Sequence, residues 1–321
     1  MEQTQLTTTA GFSPQPKKRG KVAEFFKKNG AGFVFVTPVT LGILVFTLYP
    51  LLSSLVYSFS MTYNGINPPG DFSLFGNLEK MFADSEWIIA VRNTVVYTVI
   101  NVPLCMVLSF ALAMLCNVKI RGIGIYRMLI YLPCVMSVVV SGIAWRAITD
   151  YRFGWANQFL NAIGLPSYPF LNEAWSSMPT LIIVGLWGLG GSMVLWLSQL
   201  KNIPAELYEA ASLDGAGFGT RLFKITIPMC TPMIFYTLVM NVIASFQTFA
   251  NVTTLTTGGG GGVDNSMLFY VMKIYSEYNS CFSRQSMGYA CALAWMLFVV
   301  VAVLTGVIFR TSKWVYYGGE D

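Results

Sequence analysis

The segment ELYEAASLDGAG, residues 206–217, is a short acidic and alanine-rich insertion in a strongly apolar chain. The run before it, over 178–200, and the run after it, over 225–250, contain no charged residue. Each run is long enough to cross the hydrocarbon of a membrane, which takes a helix of about 20 residues. The insertion is too polar to do so, and we expect it to lie at a membrane surface between two spans.

The insertion carries the local signals of a short helix. Pro204 suits a first helical turn, and Glu206 and Glu209 lie near the positive N-terminal end of the helix dipole. Gly215 is placed where the end of a helix favours a positive φ. The sequence therefore predicts a helix of about three turns over 205–214.

One face of this helix is suited to close contact with another protein. Leu207, Ala210 and Ala211 fall near one face, and Glu209 lies at its edge. Two adjacent alanines leave little bulk, so a partner can approach the backbone, as when a helix inserts into a groove. The alternative is a helix lying on lipid, which the acids and the shortage of large apolar residues disfavour.

The composition of the whole chain indicates a membrane protein. Of its 321 residues, 55% are hydrophobic and 11% are charged, whereas a soluble domain carries roughly 25% charged residues. Charge-free runs that predict spans occupy 33–60, 93–118, 128–145, 178–200, 225–250 and 288–309. The sequence thus predicts an all-α, polytopic membrane protein with about six transmembrane helices.

The distribution of basic residues predicts the orientation of the chain. Segment 1–31 is rich in lysine and arginine, and the linker around 119–127 carries Lys119, Arg121 and Arg127 without an acid. Since basic segments stay in the cytoplasm, both termini and the insertion are expected there. The net charge of +5 is explained by this anchoring, and we expect no nucleic-acid partner. The basic residues of the N-terminal segment are Lys17, Lys18, Arg19, Lys21, Lys27 and Lys28.

The missing residue types exclude several classes of function. The chain has no histidine, and its six cysteines form no CxxC pair, so we expect no metal site and interpret the cysteines as small packing residues. No predicted span carries an ionisable side chain in its middle. Membrane enzymes need catalytic groups at that depth, and ion-coupled carriers commonly bury carboxylates there. We expect no catalytic residue, and a secondary carrier is the disfavoured alternative.

The insertion also resembles a known motif. Glu209-Ala210-Ala211, then Gly215, then Ile225-Thr226-Ile227-Pro228 is similar to the EAA loop of permease subunits of ABC importers. The resemblance implies a type I ABC importer permease fold, with a permease domain over 32–321 and a cytoplasmic coupling loop at about 201–224. It implies that Glu209, Ala210, Ala211, Asp214 and Gly215 form the contact with a cytosolic ATPase.

Further stretches resemble the sugar-site-lining permease of the maltose type. They are Tyr49-Pro50, Arg127 with Leu132-Pro133, Trp145, and Leu255-Thr256-Thr257-Gly258-Gly259. The resemblance implies a sugar or oligosaccharide substrate, with an ABC permease for glycerol phosphate or amino acids as the alternative. It implies substrate contacts at Asn241, Ser245 and Thr248 on the fifth span and at Gly188, Leu189 and Ser192 on the fourth, and Trp187 is suited to stack on a sugar ring.

Two other interpretations of these residues remain open. The polar residues of the fifth span, spaced as one helical face, are also able to bond neighbouring helices, and the glycines of 185–191 suit a packing notch as well as room for a ligand. Gly258–Gly262 predicts an irregular outer loop, because glycine disfavours helix.

The resemblance also implies the assembly in which the chain works. The expected partners are a second, homologous permease, an ATPase dimer, an external or periplasmic sugar-binding protein and membrane lipid. No cofactor is expected on this chain, since ATP is used by the partner subunit. The expected location is the bacterial cytoplasmic membrane.

Overall fold

A computed structural model describes residues 21–118, 120–256 and 260–316, without the side chains of 21–31. This part of the chain is helical, and its one β-type pairing is an isolated bridge between Ser60 and Phe72. The charges at Lys17, Lys18, Arg19 and Lys119 lie outside the described residues, as do Thr257, Gly258 and Gly259 and residues 317–321.

Seventeen α-helices follow one another along the described chain. They are α1 Lys21–Ile43, α2 Tyr49–Tyr57, α3 Gly76–Ala83, α4 Ser85–Cys116, α5 Ile123–Val135, α6 Val138–Ile148, α7 Trp155–Ala162, α8 Ala174–Leu186, α9 Gly190–Asn202, α10 Ala205–Leu213, α11 Phe218–Arg221, α12 Ile227–Met229, α13 Thr231–Phe246, α14 Ala250–Leu255, α15 Tyr270–Asn279, α16 Cys281–Arg284 and α17 Met287–Arg310. Turns of π-helix at Leu44–Leu48 and Leu222–Thr226 connect α1 to α2 and α11 to α12.

These helices supply the predicted six spans, three continuous and three bent. Gly32–Tyr57, Ser85–Cys116 and Met287–Arg310 are each long and apolar enough to cross a membrane. The other three are pairs, α5 with α6 bent by 99°, α8 with α9 bent by 49°, and the helix before Cys230 with α13 bent by 66°. Six spans result when each bent pair counts as one.

Local sequence accounts for two of the bends. Pro133 lies near the end of α5, and Met136 then adopts an extended conformation with ψ 143°. Proline also stands in the first turn of α13, directly after the break at Cys230. A proline ring supplies no backbone donor and clashes with the preceding turn, so each position favours a break over a continuous helix.

The chain forms two compact units, Met1–Ser53 and Ser54–Asp321. Helix α1 begins at Lys21, so residues 21–31, which the sequence groups with the basic segment, belong to the same helix as the first apolar run. The predicted boundary at residue 31 therefore falls within a helix, and the permease domain over 32–321 stays a prediction.

Helix α4 occupies the centre of the second unit and packs against both α9 and α13. At the C-terminal end of α4, Cys116 packs with Trp196 and Leu200 of α9 and with Ile203, just before α10. Nearer its start, Tyr97 packs with Leu181 of α8 and with the segment that precedes α15. The two bent spans that flank α10 are thus both held against one continuous helix.

Candidate functional site

Helix α10 forms where the sequence predicts a short polar helix. It runs over Ala205–Leu213 with Pro204 at its N-cap, one position before the first helical turn. Gly215 has φ +74°, as its place in the sequence predicts. The Ala216 N–H donates to the Ala211 carbonyl at 2.8 Å, which closes the helix end and requires the left-handed conformation that glycine adopts without strain.

The outer face of α10 is exposed. Glu206, Leu207, Glu209 and Ala210 are exposed, and Leu213 is 90% exposed. Ala211 is half-buried, and Asp214 and Gly215 are exposed. The structure therefore presents the predicted acid and alanine positions on one surface.

The opposite face of α10 is anchored to the start of the fifth span. The hydroxyl groups of Tyr208 and Thr226 are 2.9 Å apart and hydrogen-bonded, and Tyr208 packs against the cluster of Leu200 and Ile203. After α10, the Arg221 side chain donates to the Ala216 carbonyl at 2.7 Å. The loop that carries α10 is therefore hydrogen-bonded to the start of the fifth span and packed against the end of the fourth.

The fourth span breaks at the predicted glycine cluster. Trp187, Gly188 and Leu189 each donate a backbone N–H to the residue three positions earlier, so the helix tightens before α9 begins. A Cβ at Gly190 would lie 2.3 Å from the Ile130 carbonyl, so this glycine allows α9 to approach α5 closely. Gly188 has open space, since a Cβ there would meet only the Gly185 carbonyl, at 3.5 Å.

A cysteine that the sequence assigns only to packing holds this break. The Cys134 thiol of α5 donates to the Gly188 carbonyl at 3.2 Å, and its sulfur accepts the Gly191 N–H at 3.1 Å. Broken helices in a membrane need such partners for freed backbone groups. The sequence gives no signal for this contact, because it joins residues more than 50 positions apart.

Trp187 lies at the break beside a second tryptophan. It is 37% exposed, and its ring meets that of Trp145 edge to face, with centroids 5.6 Å apart. The Trp145 indole N–H is buried and has no acceptor among the described residues. Leu189 is buried, and Ser192 is half-buried in the first turn of α9.

The polar residues of the fifth span lie toward the end of α13. Ser245 is buried and Asn241 is half-buried, and neither side chain has a hydrogen bond within the described residues. Thr248 lies two residues beyond the helix end at Phe246, and its N–H donates to the Ser245 carbonyl at 3.3 Å. The predicted face is therefore helical at Asn241 and Ser245 and continues as a tight turn to Thr248.

Helix α4 contacts both parts of the predicted sugar site, the part on the fourth span and the part on the fifth. Tyr97 of α4 lies close enough to Thr248 for their side chains to interact, and its hydroxyl would be 3.6 Å from a Cβ at Gly185. No hydrogen bond or ring contact in the described part of the chain joins Trp187 or Ser192 directly to Asn241 or Ser245.

Comparison with known proteins assigns the fold to a transport family. Residues 93–314 match the family described as binding-protein-dependent transport system inner membrane component. The chain belongs to this family. It is a permease of the ABC importer class and a multi-pass protein of the bacterial cytoplasmic membrane, as its sequence predicts.

Relatives match this permease over nearly its whole length. The probable ABC transporter permease protein YesP of Bacillus subtilis is 36% identical, and the match covers 92% of this chain and 94% of the relative. The lactose transport system permease protein LacF of Rhizobium radiobacter is 33% identical, with 92% and 97% covered. The diacetylchitobiose uptake system permease protein NgcF of Streptomyces coelicolor is 30% identical, with 97% and 91% covered.

A solved structure confirms the predicted fold. A chain of a bacterial ABC transporter involved in the import of the acidic polysaccharide alginate superposes with a TM-score of 0.80 at 19% identity. The match covers 92% of this permease and 99% of that chain. The type I importer fold predicted from the EAA-like segment is therefore the observed one.

Proposed function

We propose that this permease lines the path of a sugar or oligosaccharide through an ABC importer. Its partners are a second permease, a cytosolic ATPase dimer and an external sugar-binding protein. It is not an enzyme, and it binds no cofactor, because the ATP that drives transport is bound and hydrolysed by the ATPase. The observation that carries the proposal is the exposed face of α10, anchored at Tyr208 to the start of a span.

The exposed face of α10 has the chemistry of a coupling helix. Glu209 makes polar contacts in the ATPase groove, and Ala210 and Ala211 let the groove close around the backbone. Asp214 and Gly215 turn the chain out of the groove, with the positive φ of Gly215 fixing that turn. Closure of the ATPase dimer moves α10, and the hydrogen bond from Tyr208 to Thr226 conveys the movement to the fifth span.

Two observations support a hydroxyl-rich substrate. The named relatives include permeases for lactose and diacetylchitobiose. Asn241, Ser245 and Ser192 offer polar groups that make no side-chain hydrogen bond within the described residues, and amide and hydroxyl groups suit sugar hydroxyls.

The remaining positions of the predicted site fit this substrate by shape. Trp187 is partly exposed and can stack on a sugar ring, and Gly188 leaves room beside it, whereas Leu189 is buried behind the break. A phosphorylated substrate would favour an arginine among these groups, and the runs 178–200 and 225–250, which carry the predicted site, contain no arginine.

The test is ATP-driven sugar uptake by the assembled complex in vesicles. Glu209→Lys places like charge in the ATPase groove, and we expect it to abolish uptake while the permease still inserts in the membrane. The matched control is Glu79→Lys, the same charge reversal at an exposed position on α3, which should leave uptake unchanged. Normal uptake by Glu209→Lys with the ATPase bound would overturn the assignment of α10.

A further inference from the structure

Several hydroxyl groups in the described spans are satisfied within their own helix. Thr94 and Thr98 of α4 donate to the carbonyl four residues earlier at 2.7 and 2.8 Å, as does Thr237 of α13 at 2.7 Å. Such hydroxyls have no donor left for a ligand. A polar side chain in a span that lacks an internal partner is an exception to this pattern, as Asn241, Ser245 and Ser192 are, and it is a candidate for binding a ligand because an unmade hydrogen bond in a water-poor region is costly.

Asn101 is such an exception in the middle of α4. The Cys105 thiol donates to its carbonyl oxygen at 3.5 Å, but its amide group donates to no described residue. Its side chain is half-buried. The amide therefore has two hydrogen-bond donors available at the depth at which a substrate crosses.

Tyr97 lies one turn earlier on the same face of α4. Its ring is held edge to face by Phe269, with centroids 5.2 Å apart, so the position of the hydroxyl is fixed. That hydroxyl and the Asn101 carbonyl oxygen lie 3.6 and 3.8 Å from the place that a Cβ at Gly185 would take. The Tyr97 side chain also lies within interacting distance of Thr248.

We propose that Tyr97 and Asn101 form a further wall of the substrate site and determine which sugar the permease accepts. The inference rests on the proposed function, since it extends the same site from the fourth and fifth spans to α4. The ligand is a hydroxyl-bearing ring that lies in the open space at Gly188 and reaches Asn101 and Tyr97 beside Gly185, which has no side chain to cover them. The sugar hydroxyls accept hydrogen bonds from the Asn101 amide, and they either donate to or accept from the Tyr97 hydroxyl.

The geometry explains why these groups select among sugars. A ring held against α4 meets a donor pair on Asn101 and a hydroxyl on Tyr97, so only sugar hydroxyls of matching orientation are satisfied. A sugar with one hydroxyl inverted leaves a buried group unpaired. Polar sites discriminate strongly against such analogues, far more than apolar pockets do.

The experiment measures competition between two epimeric sugars for uptake by the full complex, together with the amount of complex assembled. Tyr97→Phe removes only the hydroxyl, and Asn101→Leu removes the amide at similar volume. We expect each to change the uptake ratio of the two sugars by about tenfold at unchanged assembly. The control is Thr98→Val, which removes a hydroxyl that bonds its own helix at 2.8 Å and should leave the ratio unaltered.

Three results are distinguishable. If the unaltered complex imports sugar and both variants keep its uptake ratio, the extended wall is wrong and the proposed function stands. If the unaltered complex imports no sugar, the proposed function is wrong and the inference falls with it. If Asn101→Leu does not assemble, Tyr97→Phe decides, because its ring and its contact with Phe269 are retained.

Discussion

The Lys273 ammonium group lies 2.9 Å from the Asp84 carboxylate, and this buried ion pair ties α15 to the start of α4. The lysine is also 2.8 Å from the carboxylates of Glu86 and Glu277. Asp84 caps α4 by accepting the Glu86 N–H at 3.0 Å, and it accepts the Tyr289 hydroxyl of α17 at 3.0 Å. Lys273 therefore joins α15 to α4, and Asp84 adds α17 to the same cluster, at the end of the spans opposite α10.

Folding shifts the pKa values of Asp84 and Lys273 in opposite directions. Burial raises the pKa of Asp84, but hydrogen bonds from Lys273 and Tyr289 outweigh it and hold the pKa below the usual 3.8. Burial lowers the pKa of Lys273, but its three carboxylate partners raise it above the usual 10.5. The stabilisation by Asp84 is thus present above pH 3.8 and is lost as the pH falls through its folded pKa. That by Lys273 is present below pH 10.5 and is lost as the pH rises through its folded pKa.

Lys273→Met should strongly destabilise the permease at neutral pH. It leaves three carboxylates without their cation, and breaking a buried ion pair typically costs about 3–5 kcal/mol. Thermal unfolding of the purified complex measures the loss. The control, Arg92→Met, removes an exposed cation of α4 that has no ion pair within the described residues. Equal unfolding temperatures for the two variants would contradict a structural role for the cluster.

Gly215→Ala should weaken coupling, whereas Gly217→Ala should not. Gly215 has φ +74° and Gly217 has φ −72°, and a Cβ would meet nothing within 4 Å at either position. The two substitutions thus differ only in backbone strain, which is about 1 kcal/mol for a side chain in the left-handed region. We expect less uptake per ATP hydrolysed for Gly215→Ala alone. Identical ratios for both variants would mean that the turn after α10 does not need its observed conformation.

Cysteine labelling tests the orientation expected from the basic segments. Phe72 and Ser212 are both exposed, and Phe72 belongs to the loop before α4 whereas Ser212 belongs to α10. A cysteine in place of Phe72 should react with an impermeant reagent from outside, and one in place of Ser212 only after the membrane is opened. Both introduced cysteines are placed in a chain that also carries Cys134→Ser, because the native Cys134 thiol is exposed. Reaction of both from one side would contradict the orientation.

The sequence predicts the spans and α10 because their signals are local. Apolar runs of sufficient length specify the spans, and the proline before α10 and Gly215 after it specify where that helix lies. The resemblance in the EAA-like segment adds the fold, which the solved importer chain confirms. Each of these features depends on residues close together along the chain.

Features that join distant segments could not be predicted in this way. Pro133 accounts for where the chain breaks between α5 and α6, but nearby residues do not specify the 99° angle of that bend. Helix α6 packs on the distant α14, where a Cβ at Gly142 would lie 1.9 Å from the Thr254 hydroxyl oxygen. Lys273 and Asp84 are far apart in sequence, and nothing near either residue indicates the other. The close approach of Tyr97 to Gly185 likewise joins residues that are far apart in sequence.

Asn241→Leu tests whether the polar face of α13 binds substrate or bonds a neighbouring helix. The side chain has no hydrogen bond within the described residues, so its removal should cost the isolated permease little. If a sugar hydroxyl binds there, its loss weakens binding by about 1–3 kcal/mol, which is roughly tenfold to a hundredfold. Uptake should fall while the amount of assembled complex persists.

The control for Asn241→Leu is Thr237→Val, one turn earlier on α13, because the Thr237 hydroxyl already bonds the Met233 carbonyl at 2.7 Å. Thr237→Val should leave both uptake and assembly unchanged. If Asn241 instead bonds a helix of the second permease, Asn241→Leu should reduce the assembled complex and leave the relative uptake of two competing sugars unaltered. That outcome would remove Asn241 from the substrate site. It would also weaken the assignment of Ser245 to that site, because Ser245 lies one turn further along the same face.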